Sequence, residues 1–156
     1  QLKQIEHFQQ FIVTMIMRNW VFFIFTWIIF SSAHVENSYN LEVVVNGIVS
    51  KEGTVHIAIY RSQDAFPVYG KQFKGQIIQV KGNTASASFT SLKIGLYAIA
   101  VFHDKNNNSK LDKNVFGVPT ESYGFSNNAR STFSAPTFSA ASIDLKRDIE
   151  VKISIR

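Results

Sequence analysis

The sequence predicts an all-β fold, a seven-stranded antiparallel β-sandwich that follows an apolar N-terminal segment. From residue 39 onward, short runs rich in β-branched residues alternate with turn residues at the spacing typical of sandwiches. No stretch beyond that point has a convincing helical period of 3.6 residues. The 156 residues suffice for one domain with a real core, and the absence of cysteine excludes disulfides and thiolate chemistry.

The seven predicted strands are separated by turn residues. In the last strand Val151, Ile153 and Ile155 alternate with polar residues, which makes this strand the clearest. Gly82 and Asn83 predict a two-residue hairpin between the third and fourth strands. The strands are predicted at 41–49, 54–60, 76–81, 84–90, 96–103, 142–145 and 149–155.

Two longer connections and one tyrosine complete the predicted domain. Residues 64–75 predict a turn or a short helical connection, and residues 105–141 a very long loop of the kind that usually carries a function. Tyr97 follows the turn glycine Gly95 at the start of a strand. This is the layout of a tyrosine corner, in which the hydroxyl bonds back to upstream backbone.

The N-terminal segment has the layout of a signal helix. Arg18 precedes an apolar run at 20–30, and small residues lead to a cleavage site after Ala33, with Met17 as the expected start. The run is short for a membrane span, so we expect export to the periplasm or the extracellular space, with membrane contact only if the segment is uncleaved. The predicted parts are an N-terminal extension with signal peptide at 1–33, a linker at 34–40 and the sandwich at 41–156.

The net charge of +5 comes from scattered lysines rather than from a basic run. A nucleic-acid-binding protein concentrates its basic residues on one face, among aromatic residues. We therefore expect no nucleic-acid partner.

One acidic, asparagine-rich stretch follows the fifth strand and has the oxygen spacing of a calcium loop. Its oxygens fall at loop positions 1, 3, 5, 7 and 9, whereas Ca²⁺ takes six to eight oxygens. Only two of the four side-chain ligands are carboxylates, which predicts a weak site, and Ser109 stands at position 6, where such loops use glycine. An Asx-rich turn that bonds its own backbone is the alternative. The predicted ligands are Asp104, Asn106, Asn108, the carbonyl of Lys110, and Asp112, with Glu121 as a possible extra carboxylate.

These residues resemble the signature of a bacterial family, domain of unknown function 2141. The similar motifs read HDKNNNSKLD at 103–112 and GVPTESYGFSNNA at 117–129, with GLYAIAVF at 95–102 and APTFSAA at 135–141. The likeness covers 41–156. The resemblance implies an exported bacterial β-sandwich protein of the Ig-like or transthyretin-like type, with no established activity.

The chain shows no convincing catalytic constellation. A hydrolase or isomerase using His103 with Asp104 or Glu121 is the alternative to a binding module, but adjacent His and Asp do not readily give the geometry of base and orienting group. His56 falls on the polar face of its strand, which predicts a surface histidine. The four histidines lack the paired spacing of a zinc site.

The second half of the long loop is unusually aromatic. Most of these rings are expected to pack as a lid over one end of the sandwich, and the rest to form a recognition surface. We therefore predict an exported binding or structural module that is weakly calcium-stabilised and binds a protein or a carbohydrate. The residues expected at the partner surface are Tyr123, Ser126, Asn127 and Asn128.

Overall fold

The computed structural model describes residues 37–156. The predicted signal helix and cleavage site, and residues 34–36 of the predicted linker, lie outside the described residues. The first strand begins at Ser38, so the last residues of the predicted linker already belong to the sheet. The described part contains one short α-helix and one 3-10 turn, and neither has the length and apolar character that a membrane span requires.

Within residues 37–156, eight strands form two sheets, as expected for a β-sandwich. The first sheet has the order β4-β1-β8; the second has the order β3-β2-β5-β6, and β7 also pairs with β5. The strands are β1 Ser38–Asn46, β2 Thr54–Tyr60, β3 Lys74–Gln79, β4 Thr84–Lys93, β5 Gly95–Asp104, β6 Tyr123–Phe125, β7 Ser142–Leu145 and β8 Ile149–Ser154, with a 3-10 turn at Ser126–Asn128 and helix α1 at Phe138–Ala141.

All seven predicted strands are present, but the prediction of the strand number and of the strand directions is wrong in detail. The long loop contains an additional strand, β6, which pairs with β5 from Ala100 to Phe102. The sandwich is also not wholly antiparallel, because β8 runs parallel to β1, from Leu41 opposite Ile149 onward. This parallel pairing follows from the route of the chain, which leaves the second sheet after β7 and returns to the first beside its first strand.

The predicted hairpin at Gly82 and Asn83 is a crossover between sheets. β3 pairs with β2, whereas β4 pairs with β1, so the two strands around this turn do not pair with each other. Val80 turns into the core and is 5% exposed, and the carbonyl of Asn83 accepts a hydrogen bond from Ile48. Burial of Val80 thus directs the chain across the sandwich edge rather than back along β3.

The core lies between the two sheets and is filled by the inward positions of the strands. Leu41, Val43 and Val45 of β1 are fully buried, as the alternating pattern predicts. Tyr97 is also fully buried, and its hydroxyl donates a 2.8 Å hydrogen bond to the carbonyl of Lys93, which confirms the tyrosine corner.

The outer faces of the two sheets differ in chemistry. The first sheet turns serine, threonine and charged side chains to solvent, among them Glu42, Ser86 and Lys152. The second sheet turns alanine and aromatic side chains outward. A second apolar cluster covers part of this face, and its buried members are Tyr60, Phe66, Ala98, Phe125 and Ala141.

Candidate functional site

The remaining part of the outer face of the second sheet is an open groove of about 940 Å³. Ala58 and Ala100, which face each other across β2 and β5, form the middle of its floor. His56 and Phe102 form the next pair along the same strands, and their rings stack with centroids 4.5 Å apart. We call this the outer groove. The groove is deep because the small alanine side chains do not fill the space between the surrounding loops.

Three loop segments wall the outer groove. One wall is the connection between β2 and β3, where Tyr69 packs edge-on against Phe102 at 6.3 Å. The hydroxyl of Tyr60 donates a 3.2 Å hydrogen bond to the carbonyl of Val68 and ties this wall to the sheet. Burial, with a smaller effect of Tyr69, raises the pKa of Tyr60 to about 12, so the hydroxyl stays protonated as a donor. The other walls are 110–119 and 131–135.

The walls formed by segments 110–119 and 131–135 carry aromatic rings that are exposed to solvent. Phe116 is 87% exposed and Phe133 is 98% exposed, and both line the groove. The expected packing of most aromatic residues of the long loop holds for Phe125 and Phe138, which belong to the second apolar cluster. Exposed apolar patches of this kind usually mark sites of interaction.

The charge around the outer groove has one sign. Its lining includes the cations Lys110 and Lys113 but no aspartate or glutamate. Within residues 37–156, neither lysine forms an ion pair. The groove therefore presents positive charge at the side where segment 110–119 approaches.

The loop at 104–112, which we call the Asp/Asn loop, adjoins the groove and is ordered by its own side chains. The carboxylate of Asp104 is fully buried and accepts backbone hydrogen bonds from Asn108 at 3.1 Å and from Ser109 at 2.7 Å. Ser109 has φ of 61°, the left-handed conformation that glycine adopts most readily. Position 6 of the loop therefore has the left-handed backbone conformation for which calcium loops use glycine.

The remaining oxygens of the loop are also hydrogen-bonded within it. The side-chain amides of Asn106 and Asn108 donate to the carboxylate of Asp112 at 2.7–3.1 Å. Glu121 is 7% exposed and accepts hydrogen bonds from the backbone N–H groups of Lys105 and Asp112. This is the arrangement of the Asx-rich turn, the alternative to a calcium site.

Five of the predicted ligands have side chains that lie in one hydrogen-bonded network. They are Asp104, Asp112 and Glu121, together with both asparagines. Within residues 37–156, no group of three or more His, Cys, Asp or Glu side chains is placed to hold a metal ion. A cation here would need amide oxygens, which Asn106 and Asn108 can supply by turning their amides around.

His56 connects the Asp/Asn loop to the outer groove and is the residue that sequence reasoning missed. Its Nε2 lies 3.3 Å from a carboxylate oxygen of Asp104, and its side chain is only 7% exposed, so the expected surface histidine is wrong. Burial lowers the pKa of His56, and Asp104 partly offsets this effect. The signal was present in the sequence, because the positions that share its face, Ala58 and Tyr60, carry no charge.

His103 lies on the opposite side of β5. Its ring is fully buried at the end of the sandwich, with Nε2 2.8 Å from the carbonyl of Glu52. Successive residues of a strand point to opposite faces, so His103 and Asp104 diverge. His103 and Asp104 therefore do not pair, as their adjacency in the sequence indicated, and the histidine beside Asp104 is His56.

The four predicted partner contacts differ in their surroundings. Tyr123 is half-buried and lines the outer groove, with the guanidinium of Arg130 over its ring at 5.7 Å. Ser126 is fully buried and accepts a 2.9 Å hydrogen bond from the N–H of Ile99, so its expected exposure is wrong. Asn127 and Asn128 are exposed, but their side chains bond to the backbone around α1 and to β8.

Fold and site together define a β-sandwich whose second sheet carries an open apolar groove beside a self-bonded Asp/Asn loop. Residues 43–153 match the family described as uncharacterized protein conserved in bacteria, domain of unknown function 2141, and the chain belongs to this family. No curated protein and no solved structure matches the chain.

Proposed function

We propose that this chain is an exported binding module that holds its ligand in the outer groove. The observation that carries the proposal is the apolar outer face of the second sheet, where Ala58 and Ala100 lie open between aromatic walls. A sheet face exposed only to water is normally polar, as the face of the first sheet is. The volume of about 940 Å³ lies in the range of about 300–1,000 Å³ of small-molecule sites.

Binding of a neutral, polarity-sensitive dye such as Nile red tests this proposal. We expect saturable fluorescence enhancement that Ala100→Phe abolishes, because the larger side chain fills the floor. Ser86→Phe is the matched control, since it adds the same ring to the exposed outer face of the first sheet and should leave dye binding unchanged. Equal dye binding by both variants would contradict the assignment of the groove.

Three expectations from the sequence remain parts of the proposal. They are export, a sandwich of the Ig-like or transthyretin-like type, and a protein or carbohydrate partner. The tyrosine corner at Tyr97 supports the fold type. Displacement of the dye by soluble oligosaccharides would support a carbohydrate partner. Its displacement by an apolar peptide would support a protein partner.

We also propose that calcium stabilises the Asp/Asn loop weakly. The support is the convergence of Asp104, Asp112 and both asparagines within hydrogen-bonding distance. Binding would exchange the contacts of the amide groups with Asp112 for contacts of their oxygens with the ion. The role of calcium would then be structural. The ion would hold the loop in place beside the groove, to which Asp104 is connected by its contact with His56.

An enzyme is the second candidate. The observation that favours it is the pair of His56 and Asp104, since a carboxylate that holds an imidazole beside a cleft is an arrangement used in general acid–base catalysis. A hydrolase or isomerase working through this pair would lose its activity in His56→Gln, while the same variant would still bind the dye.

A further inference from the structure

We propose that the ligand of the outer groove is a linear amphiphile with a single anionic end, such as a long-chain carboxylate. Its apolar body would lie over Ala58 and Ala100, and its anion would lie at Lys110 and Lys113. This inference rests on the proposed function and specifies the chemistry of the same site.

The shape of the groove suits a long and narrow molecule. Its lining extends across four adjacent strands, from Ile77 on β3 to Tyr123 on β6. Neighbouring strands lie about 4.8 Å apart, so this floor is roughly 14 Å across. The aromatic rings of Tyr69, Phe116 and Phe133 stand around it and can cover an extended apolar chain.

The chemistry of the floor disfavours a glycan and an added peptide strand. A glycan needs several hydrogen-bonding groups, whereas on the floor His56 is already engaged with Asp104 and Thr54, and the side-chain amide of Gln76 donates to the carbonyl of Ser88. An added strand needs a free sheet edge, whereas β2 and β5 are each paired on both sides. Apolar contact is what the floor offers.

The positive charge of the groove lining favours a ligand with an anionic end group. Lys110 and Lys113 are exposed and form no ion pair within residues 37–156, and no acidic residue lines the groove. Of the carboxylates in the adjoining loop, that of Asp104 is buried and bonded to His56 and to the loop backbone, and that of Asp112 accepts hydrogen bonds from the side-chain amides of Asn106 and Asn108. An anionic end group would therefore meet two free ammonium groups.

The test is displacement of Nile red from the full chain by decanoate, dodecanoate and tetradecanoate below their micelle concentrations. Each added methylene should tighten binding about fourfold at most. Dodecyltrimethylammonium should bind at least about tenfold more weakly than tetradecanoate. The double variant Lys110→Ala/Lys113→Ala should weaken carboxylate binding about three- to tenfold and leave dodecanol binding unchanged, with Lys81→Ala, outside the groove, as the control.

The outcomes separate this inference from the proposed function. If the dye binds and Ala100→Phe prevents it, but carboxylates do not displace it, the groove is a binding site and the amphiphile is wrong. If the dye does not bind at all, both fail. Equal affinity for the anionic and cationic amphiphiles also overturns the inference, as does binding only to vesicles of anionic phospholipid.

Ala100→Phe could unfold the sheet, so a second variant is required. Phe133→Ser changes an exposed loop residue that lines the groove and should leave the urea unfolding transition unchanged. We expect it to weaken tetradecanoate binding about three- to tenfold, because it removes apolar contact area. Unchanged binding in this folded variant would count against the groove as the site of the acyl chain.

Discussion

Nε2 of His56 lies 3.3 Å from Oδ2 of Asp104, and this contact joins the outer groove to the Asp/Asn loop. The ring of His56 also stacks on Phe102 in the groove floor, while Asp104 accepts the backbone hydrogen bonds that shape the loop. A change in the charge of this pair therefore acts on the groove and on the loop together.

Folding stability should fall below about pH 6.5 because of His56. Burial lowers the pKa of this histidine in the folded state, so between the ordinary value of 6.5 and the folded value the unfolded chain binds the proton and the folded chain does not. The contribution is complete above pH 6.5, is lost as the pH falls, and levels off below the folded pKa. Urea unfolding at a series of pH values measures this effect.

The His56→Gln variant is the control for this series of unfolding measurements. It removes the titrating group, so its stability should change less with pH than that of the wild-type chain over the same range. Parallel pH profiles for the two proteins would show that another group is responsible.

Gly53→Ala should destabilise the fold more than Gly70→Ala. Both glycines have φ near +80°, at +80° and +84°, so both substitutions carry the backbone strain of the left-handed region, about 1–2 kcal/mol. A Cβ at Gly53 would lie 2.0 Å from the carbonyl oxygen of Asp104, whereas a Cβ at Gly70 would meet nothing within 4 Å. We expect a further loss of about 1–3 kcal/mol at Gly53.

Urea unfolding of the two alanine variants measures this difference, and Gly70→Ala is its matched control. Similar losses in the two variants would mean that β2 and the start of the Asp/Asn loop are not as close as the backbone places them.

Tyr97→Phe should reduce stability by about 0.5–1.5 kcal/mol, since it removes one neutral hydrogen bond to the carbonyl of Lys93. Tyr39→Phe is the control, because within the described part of the chain the hydroxyl of Tyr39 makes no such bond, and we expect a change of less than about 0.5 kcal/mol. Denaturant titration distinguishes the two. An unaffected Tyr97→Phe variant would show that the buried ring, and not its hydroxyl, stabilises the corner.

Calcium at about 10 mM should raise the melting temperature by several degrees. A dissociation constant of about 10⁻⁴–10⁻³ M, as in weak extracellular sites, corresponds to about 1.4–2.7 kcal/mol of added stability at this concentration. Asp104→Ala should remove the gain, and so should Asp112→Asn, which removes a charge from the loop and leaves the length of the side chain unchanged.

Asp144→Asn is the control for the calcium experiment, because Asp144 is an exposed residue that pairs with Lys146 away from the loop. This variant should keep the full gain in melting temperature. Melting curves that coincide in calcium and in chelator would leave the Asx-rich turn as the complete description of the loop.

The alternation of apolar and polar residues was enough to predict seven of the eight described strands. Ile153 and Ile155 of the last predicted strand are buried, because a period of two places them on one face whatever that face packs against. The position of Gly95 before Tyr97 was likewise enough for the tyrosine corner, whose hydrogen bond spans only four residues. The spacing of Asp104, Asn106 and Asn108 indicated a calcium loop, with a self-bonded Asx-rich turn as the alternative.

Tertiary structure alone decided which strands are neighbours and what lies on the outer faces. Local periodicity carries no information about pairing partners, so the parallel pairing of β1 with β8 and the crossover at Gly82 could not be predicted from it. The outer groove requires Ala58 and Ala100 to meet across two strands, and His56 to reach Asp104. These contacts join residues far apart in the chain, and their energies come from burial that exists only once both sheets have formed.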